Sequence, residues 1–108
     1  MGEPTVQKKI DEMVRRIVER FHPERVILFG SYARGQAGPD SDVDLLVVMP
    51  VAGSKREKSI EIALALHDIR VPKDIIVVTP DTVERQHDVV GTIVHPAIQE
   101  GKVLYAKP

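Results

Sequence analysis

The sequence contains no cysteine, which excludes disulfides and thiolate metal sites. Long hydrophobic runs are missing as well. A stretch such as Leu45 to Met49 is far short of the roughly 20 apolar residues that span a bilayer. The polar, amphipathic N-terminus lacks the apolar core of a secretory signal. No membrane contact is expected on this basis, and a cytoplasmic location is the default expectation. A basic excess is also absent, the formal net charge being −1. Proteins that grip a polynucleotide backbone draw most of their affinity from phosphate contacts and are usually clearly basic. A template-directed polymerase or a direct DNA binder is therefore disfavoured. A small anionic substrate chelated to a metal requires no such excess. Nothing in the composition reads as disordered, repetitive or low in complexity, and 108 residues fit one domain, expected to span 1–108.

What is present is a regular succession of apolar patterns. Val6, Ile10, Met13, Val14, Ile17, Val18 and Phe21 recur at helical spacing and predict a helix from about Pro4 to Phe21, broken by His22-Pro23. Arg25 to Phe29 is a short β-branched run stopped by Gly30, and Val43 to Met49 is a second one, ended by Pro50. Ser31 to Gly35 has room for one helical turn, and Gln36 to Ser41 forms a loop. Ser54 and Glu57 have the form of a capping box opening a helix that carries Ile60, Ile62, Ala63, Leu64, Leu66 and Ile69 and stops before Pro72. Asp74 to Val78 predicts a third strand, and Thr79-Pro80 opens a short helix. Thr92 to Glu100 predicts another helix with Gly101 as its C′ residue, and Val103 to Tyr105 an edge strand. The expected class is α/β (α+β), a small mixed sheet with helices packed on it.

Three features gather at strand ends: Gly30-Ser31, Asp42-Val43-Asp44 and Asp74. Residues i and i+2 of a strand share a face, roughly 6.5–7 Å apart, so Asp42 and Asp44 project together. Carboxylates that close repel one another unless a cation lies between them, and hard divalent ions such as Mg²⁺ are the usual remedy beside a phosphate. A helix-containing crossover favours parallel pairing of the second and third strands, which brings Asp74 to the same edge. If the first strand runs antiparallel to the second, Gly30-Ser31 arrives there too. Glycine lets a backbone approach a phosphate, the turn beyond it offers free N–H groups, and Ser31 can add a hydrogen bond. Arg34, one turn on, either offsets triphosphate charge or forms a surface salt bridge. Ser41 either hydrogen-bonds its loop or orients Asp42. Asp74 could also simply start a strand. The histidines at positions 22, 67, 87 and 95 show no metal-ligand spacing.

The string GSYARGQAGPDSDVDLLVV, with Gly30-Ser31 followed after ten residues by Asp42-Val43-Asp44-Leu45, resembles the signature of the DNA polymerase beta nucleotidyltransferase superfamily. It is most similar to the minimal nucleotidyltransferase (MNT) branch, which includes the MntA-like antitoxins of HEPN/MNT toxin–antitoxin pairs. The similarity extends over most of the chain, including Asp74 in a strand and the C-terminal EGKVLY. It implies a nucleotidyltransferase fold and transfer of a nucleoside monophosphate, AMP from ATP, to a hydroxyl. It further implies Gly30 and Ser31 as nucleotide-phosphate contacts, Asp42 and Asp44 as ligands of two Mg²⁺ ions, and Asp74 as the third carboxylate, helping to activate the acceptor. Arg34 and Ser41 join the nucleotide-binding candidates. A HEPN-domain toxin is the implied partner, with homo- or hetero-oligomerisation left open. Two other roles share these residues: a binding module that neutralises its partner by contact alone, and a nucleotide sensor.

Overall fold

A computed structural model describes residues 5–108. Helix α1 (Val6–Phe21) starts where the Thr5 hydroxyl accepts a hydrogen bond from the Lys8 N–H at 3.2 Å. The expected start at Pro4 lies outside the described residues. The helix ends on His22 in the left-handed conformation, φ 50°, at the expected His22-Pro23 break. Strands β1 (Arg25–Phe29) and β2 (Val43–Val48) follow. Met49 lies just past the strand, although its N–H still bonds the Val78 carbonyl at 3.0 Å.

Helix α2 (Lys55–Ala65) is capped by the Ser54 hydroxyl, which accepts from the Glu57 N–H at 3.1 Å. The helix stops at Ala65 and continues to Ile69 as tight turns. The carbonyls after it are met by ammonium groups: Lys73 Nζ donates to Ile69 and Lys9 Nζ to Arg70, at 2.9 and 2.7 Å. Strand β3 (Lys73–Val78), helix α3 (Pro80–Gln86), helix α4 (Val94–Glu100) and strand β4 (Lys102–Ala106) complete the order. Thr79 caps α3 through the Thr82 N–H, and Pro80 occupies the first turn, where its missing N–H costs nothing.

The four strands form one mixed sheet in the order β3-β2-β1-β4. Strand β1 is antiparallel to both its neighbours, and β2 is parallel to β3. Each face of the sheet is covered. Helices α1 and α2 bury Ile10, Met13, Ile17, Ile62 and Leu66 against Val26, Leu28, Val43, Leu45, Val47 and Val77. Helices α3 and α4 bury Val83, Val94 and Ala97 against Ile27, Phe29, Leu46, Val48 and Val78. Because β2 lies between two cores, it reads as an unbroken apolar run rather than an alternating one.

Two expectations are corrected. The helix expected to run to before Pro72 ends at Ala65; Ile62 in it and Leu66 and Ile69 in the turns after it are buried in the core, with Ala63 packed partly against it. Ile60 and Leu64 point outward, 49% and 65% exposed, because the helix has a single inward stripe. Gly101 is not a left-handed C′ residue. It is the C-cap, extended at φ −77°. A Cβ there would overlap the Ala97 carbonyl of α4 and stand 2.7 Å from Ile27 Cγ2 and 2.9 Å from the Leu28 carbonyl, so the last turn of α4 and the close passage over β1 together exclude a side chain.

Candidate active site

The strand register puts the acids at one end of the sheet. Asp44 is the second residue of β2 and lies opposite Phe29 of β1 and Asp74 of β3. Asp42 immediately precedes β2, and Gly30 immediately follows β1. The Val43 N–H donates to the Pro72 carbonyl at 2.8 Å, which ties the start of β2 to the approach of β3. Alternation along the strands then sets the faces. Asp44 continues the row of Leu46 and Val48, and Asp74 that of Ile76 and Val78. Those rows face α3 and α4, so the carboxylates extend the second core beyond the point where its aliphatic packing ends. Asp42 and Asp74 are exposed and Asp44 is half-buried.

The electrostatics follow this placement. The Asp44 carboxyl is pushed above the usual carboxylate range, first by burial, then by the negative charges of Asp74 and Asp42; Arg34 pulls in the opposite direction. Asp44 is thus the centre of an acidic cluster with one cation at its border. Among the described residues no three acids or imidazoles stand close enough together to clasp a single ion with their side chains as placed. The chemistry of the donor set, carboxylate oxygens alone, nevertheless fits a hard divalent ion such as Mg²⁺.

The segment from Ser31 to Gly35 forms a tight turn, as anticipated. Arg34 N–H donates to the Gly30 carbonyl at 3.2 Å and Gln36 N–H to Ser31 at 2.9 Å. Among the described residues the N–H groups of Ser31, Tyr32 and Ala33 meet no acceptor, which leaves them available to an anion. Ala33 is buried and Tyr32 packs partly against the α1–α2 core, so the turn is anchored to the sheet. Arg34 forms the surface salt bridge that was one of its two readings. Its charge reaches Asp44, while Nη1 stands 3.7 Å from Glu100 Oε2 at the end of α4 and Nε donates to Gln36 Oε1 at 3.3 Å. Glu100 was not legible as a neighbour of the site, since only the docking of α4 on β1 brings it there. Ser41 closes its own loop: its hydroxyl accepts from the Gly38 N–H at 2.9 Å and its N–H donates to the Gly38 carbonyl. A surface hollow of about 340 Å³ lined by Glu24, Arg25 and the segment Ala106–Pro108 lies at the opposite end of β1. It holds no comparable cluster of acids, and the chemistry favours the Asp44 end.

Comparison with known proteins bears on this geometry. The family model of the nucleotidyltransferase domain matches residues 10–102. A Methanocaldococcus jannaschii protein, provisionally named a protein adenylyltransferase, is 44% identical over 50 residues. That match covers 44% of this chain and 34% of the relative, so the shared stretch spans about a third of the relative's length. Among solved structures, a provisionally named nucleotidyltransferase from Sulfolobus solfataricus superposes with a TM-score of 0.62 at 21% identity, covering 99% of this chain and 93% of that one. A chain of the complex between tri-AMPylated Shewanella oneidensis HEPN toxin and MNT antitoxin gives 0.52 at 19% identity, covering 95% and 74%. At these identities the structural matches establish a common fold.

Proposed function

Because the chain belongs to the nucleotidyltransferase domain family, we propose that it transfers AMP from ATP to a hydroxyl of a partner protein and releases pyrophosphate. The observation that carries this reading is the seating of Asp44 among Asp42, Asp74 and Gly30-Ser31 at one sheet end. The family generally uses a nucleoside triphosphate with a divalent metal. Here Asp42, Asp44 and Asp74 would hold two Mg²⁺ ions, which when bound supply the positive charge that a triphosphate and a forming alkoxide need.

The chain's own groups divide the remaining work. The Ser31 hydroxyl and the free N–H groups of its turn receive the phosphates, and Arg34 exchanges its weak contact with Glu100 for phosphate oxygens. Ser41 holds the loop that delivers Asp42. The acceptor oxygen attacks the α-phosphorus, a new P–O bond forms, and the bond to the bridging oxygen breaks as pyrophosphate leaves with that electron pair. Asp74, exposed at the sheet margin, receives the hydroxyl proton. Most of the rate gain comes from alignment and charge stabilisation. The partner we infer is a HEPN-domain toxin, modified and thereby neutralised in the cytoplasm, with residues 1–108 acting as a single minimal catalytic domain. Support comes from the provisional name of the M. jannaschii relative and from the AMPylated state of the S. oneidensis complex.

The test is incubation with ATP labelled at the α-phosphate, Mg²⁺ and a HEPN-domain protein encoded beside this chain. Label is expected on the partner and is lost in Asp42→Ala and Asp44→Ala. Neutralisation that persists in those variants without label overturns the transferase reading in favour of contact alone. Metal-dependent ATP affinity without pyrophosphate release leaves a sensor.

A further inference from the structure

Gly30 sits at φ +75°, in the left-handed region that only glycine adopts freely. Position alone would explain a glycine at the end of a strand. The surroundings add something more specific. A Cβ built on Gly30 would overlap Asp44 Oδ2 and stand 3.3 Å from Asp44 Cγ and 3.6 Å from its Cβ. Apart from its chain neighbours Phe29 and Ser31, no other residue comes as near. The Asp44 carboxylate therefore lies across the bare face of the Gly30 Cα, in volume that every other amino acid would fill. Gly35, at the other end of the same turn, makes the contrast: its φ is +70°, yet a Cβ there would meet nothing within 4 Å.

We propose that Gly30 is a positioning residue for Asp44, the absence of its side chain forming the seat that fixes where the Asp44 carboxylate stands. The proposal rests on the reading of Asp44 as a metal ligand but makes a separate statement about its cause. Phe29 of β1 pairs with Asp44, so the seat follows directly from the register of the two strands. A side chain at position 30 leaves Asp44 two outcomes. It rotates off its seat, away from the neighbours whose charges it now feels, or the end of β1 moves away from β2. Either outcome changes the set of oxygens offered to a divalent ion.

Four proteins separate this coupling from ordinary backbone strain: Gly30→Ala, Gly35→Ala, Asp44→Ala, and the Gly30→Ala/Asp44→Ala double variant. Thermal unfolding without metal is the first readout. Gly30→Ala is expected to lower the melting temperature by several degrees more than Gly35→Ala, with most of the excess removed in the Asp44→Ala background. An equal cost in both backgrounds overturns the proposal, as does failure of both position-30 variants to fold, since Gly30 would then serve the turn alone. Folding of the double variant where the single one fails supports it. The second readout is Mn²⁺ binding to the folded proteins by electron paramagnetic resonance. About tenfold or greater loss of affinity is expected in Gly30→Ala, in the range for residues that orient metal ligands, with affinity retained in Gly35→Ala. If the parent protein binds no Mn²⁺, the functional reading fails while the unfolding cycle still decides the role of Gly30.

Discussion

Two groups of acids in this small protein are treated in opposite ways. On the α1–α2 face, Glu12 and Asp68 are paired with arginine. Arg16 donates to Asp68 at 2.6 and 3.0 Å and to Glu12 at 2.9 Å, and Arg15 adds a second contact to Glu12. Hydrogen bonds from these guanidinium groups hold the Glu12 and Asp68 carboxyls at about 2, well below the usual range. At the sheet end, Asp44 is half-buried beside two further aspartates, and its carboxyl is pushed upward instead. The first group works for the fold. The second works against it, held in place by strands whose register leaves no alternative. Acids that a fold retains against their own repulsion are candidates for a functional site.

The largest effect that would sharpen this contrast is on catalysis. Asp44→Ala is expected to reduce AMP transfer by about 10³-fold, on the order of 4 kcal/mol of transition-state stabilisation. Arg16→Ala should leave the transfer rate within about twofold, on the order of 0.4 kcal/mol. Initial rates with labelled ATP measure both. A next, smaller effect is on stability. Mg²⁺ at 100 times its dissociation constant should stabilise the parent protein by about 2.7 kcal/mol, read as a rise in melting temperature that Asp44→Asn abolishes.

Without metal the sign reverses. An acid whose folded pKa is raised destabilises the fold increasingly as pH climbs from its unfolded value near 4 through the folded one. Asp44→Asn should therefore be slightly more stable than the parent at pH 7, by less than about 1 kcal/mol given solvent screening. The difference should vanish below pH 4, as followed by urea unfolding across pH. The smallest effect belongs to the paired acids. Their depressed carboxyls contribute stability that is fully present above the unfolded value near 4 and is lost as pH falls through about 2. Arg16→Ala should lower the neutral-pH melting temperature slightly, and the difference from the parent should shrink as pH falls from about 4 through about 2, both visible by circular dichroism.

Much of this arrangement could be read from the chain because the signals were local and strong. Strand β1 is bounded by Pro23 and Gly30, so its limits followed directly. The parallel β2–β3 pair followed from its helix-containing connection and carries Asp42, Asp44 and Asp74 to one end, while the antiparallel β1–β2 pair, a condition in the sequence, brings Gly30-Ser31 there. What stayed hidden depends on distant packing. Ile60 and Leu64 have the apolar character of core residues, but the stripe carrying Ile62 and Leu66 takes the inward face. Glu100 meets Arg34 only because Gly101 lets the chain pass close over β1. The seat of Asp44 on Gly30 depends on a side-chain direction that no spacing encodes.

The central claim is that Asp42, Asp44 and Asp74 share divalent cations with a triphosphate. A crystal grown with Mn²⁺ and a non-hydrolysable ATP analogue tests it most directly through the anomalous signal of manganese. The account predicts peaks about 2.1 Å from carboxylate oxygens of Asp42 and Asp44, with the phosphates against the Ser31 turn. Peaks elsewhere, or ordered nucleotide whose phosphates lie away from these acids, would contradict it.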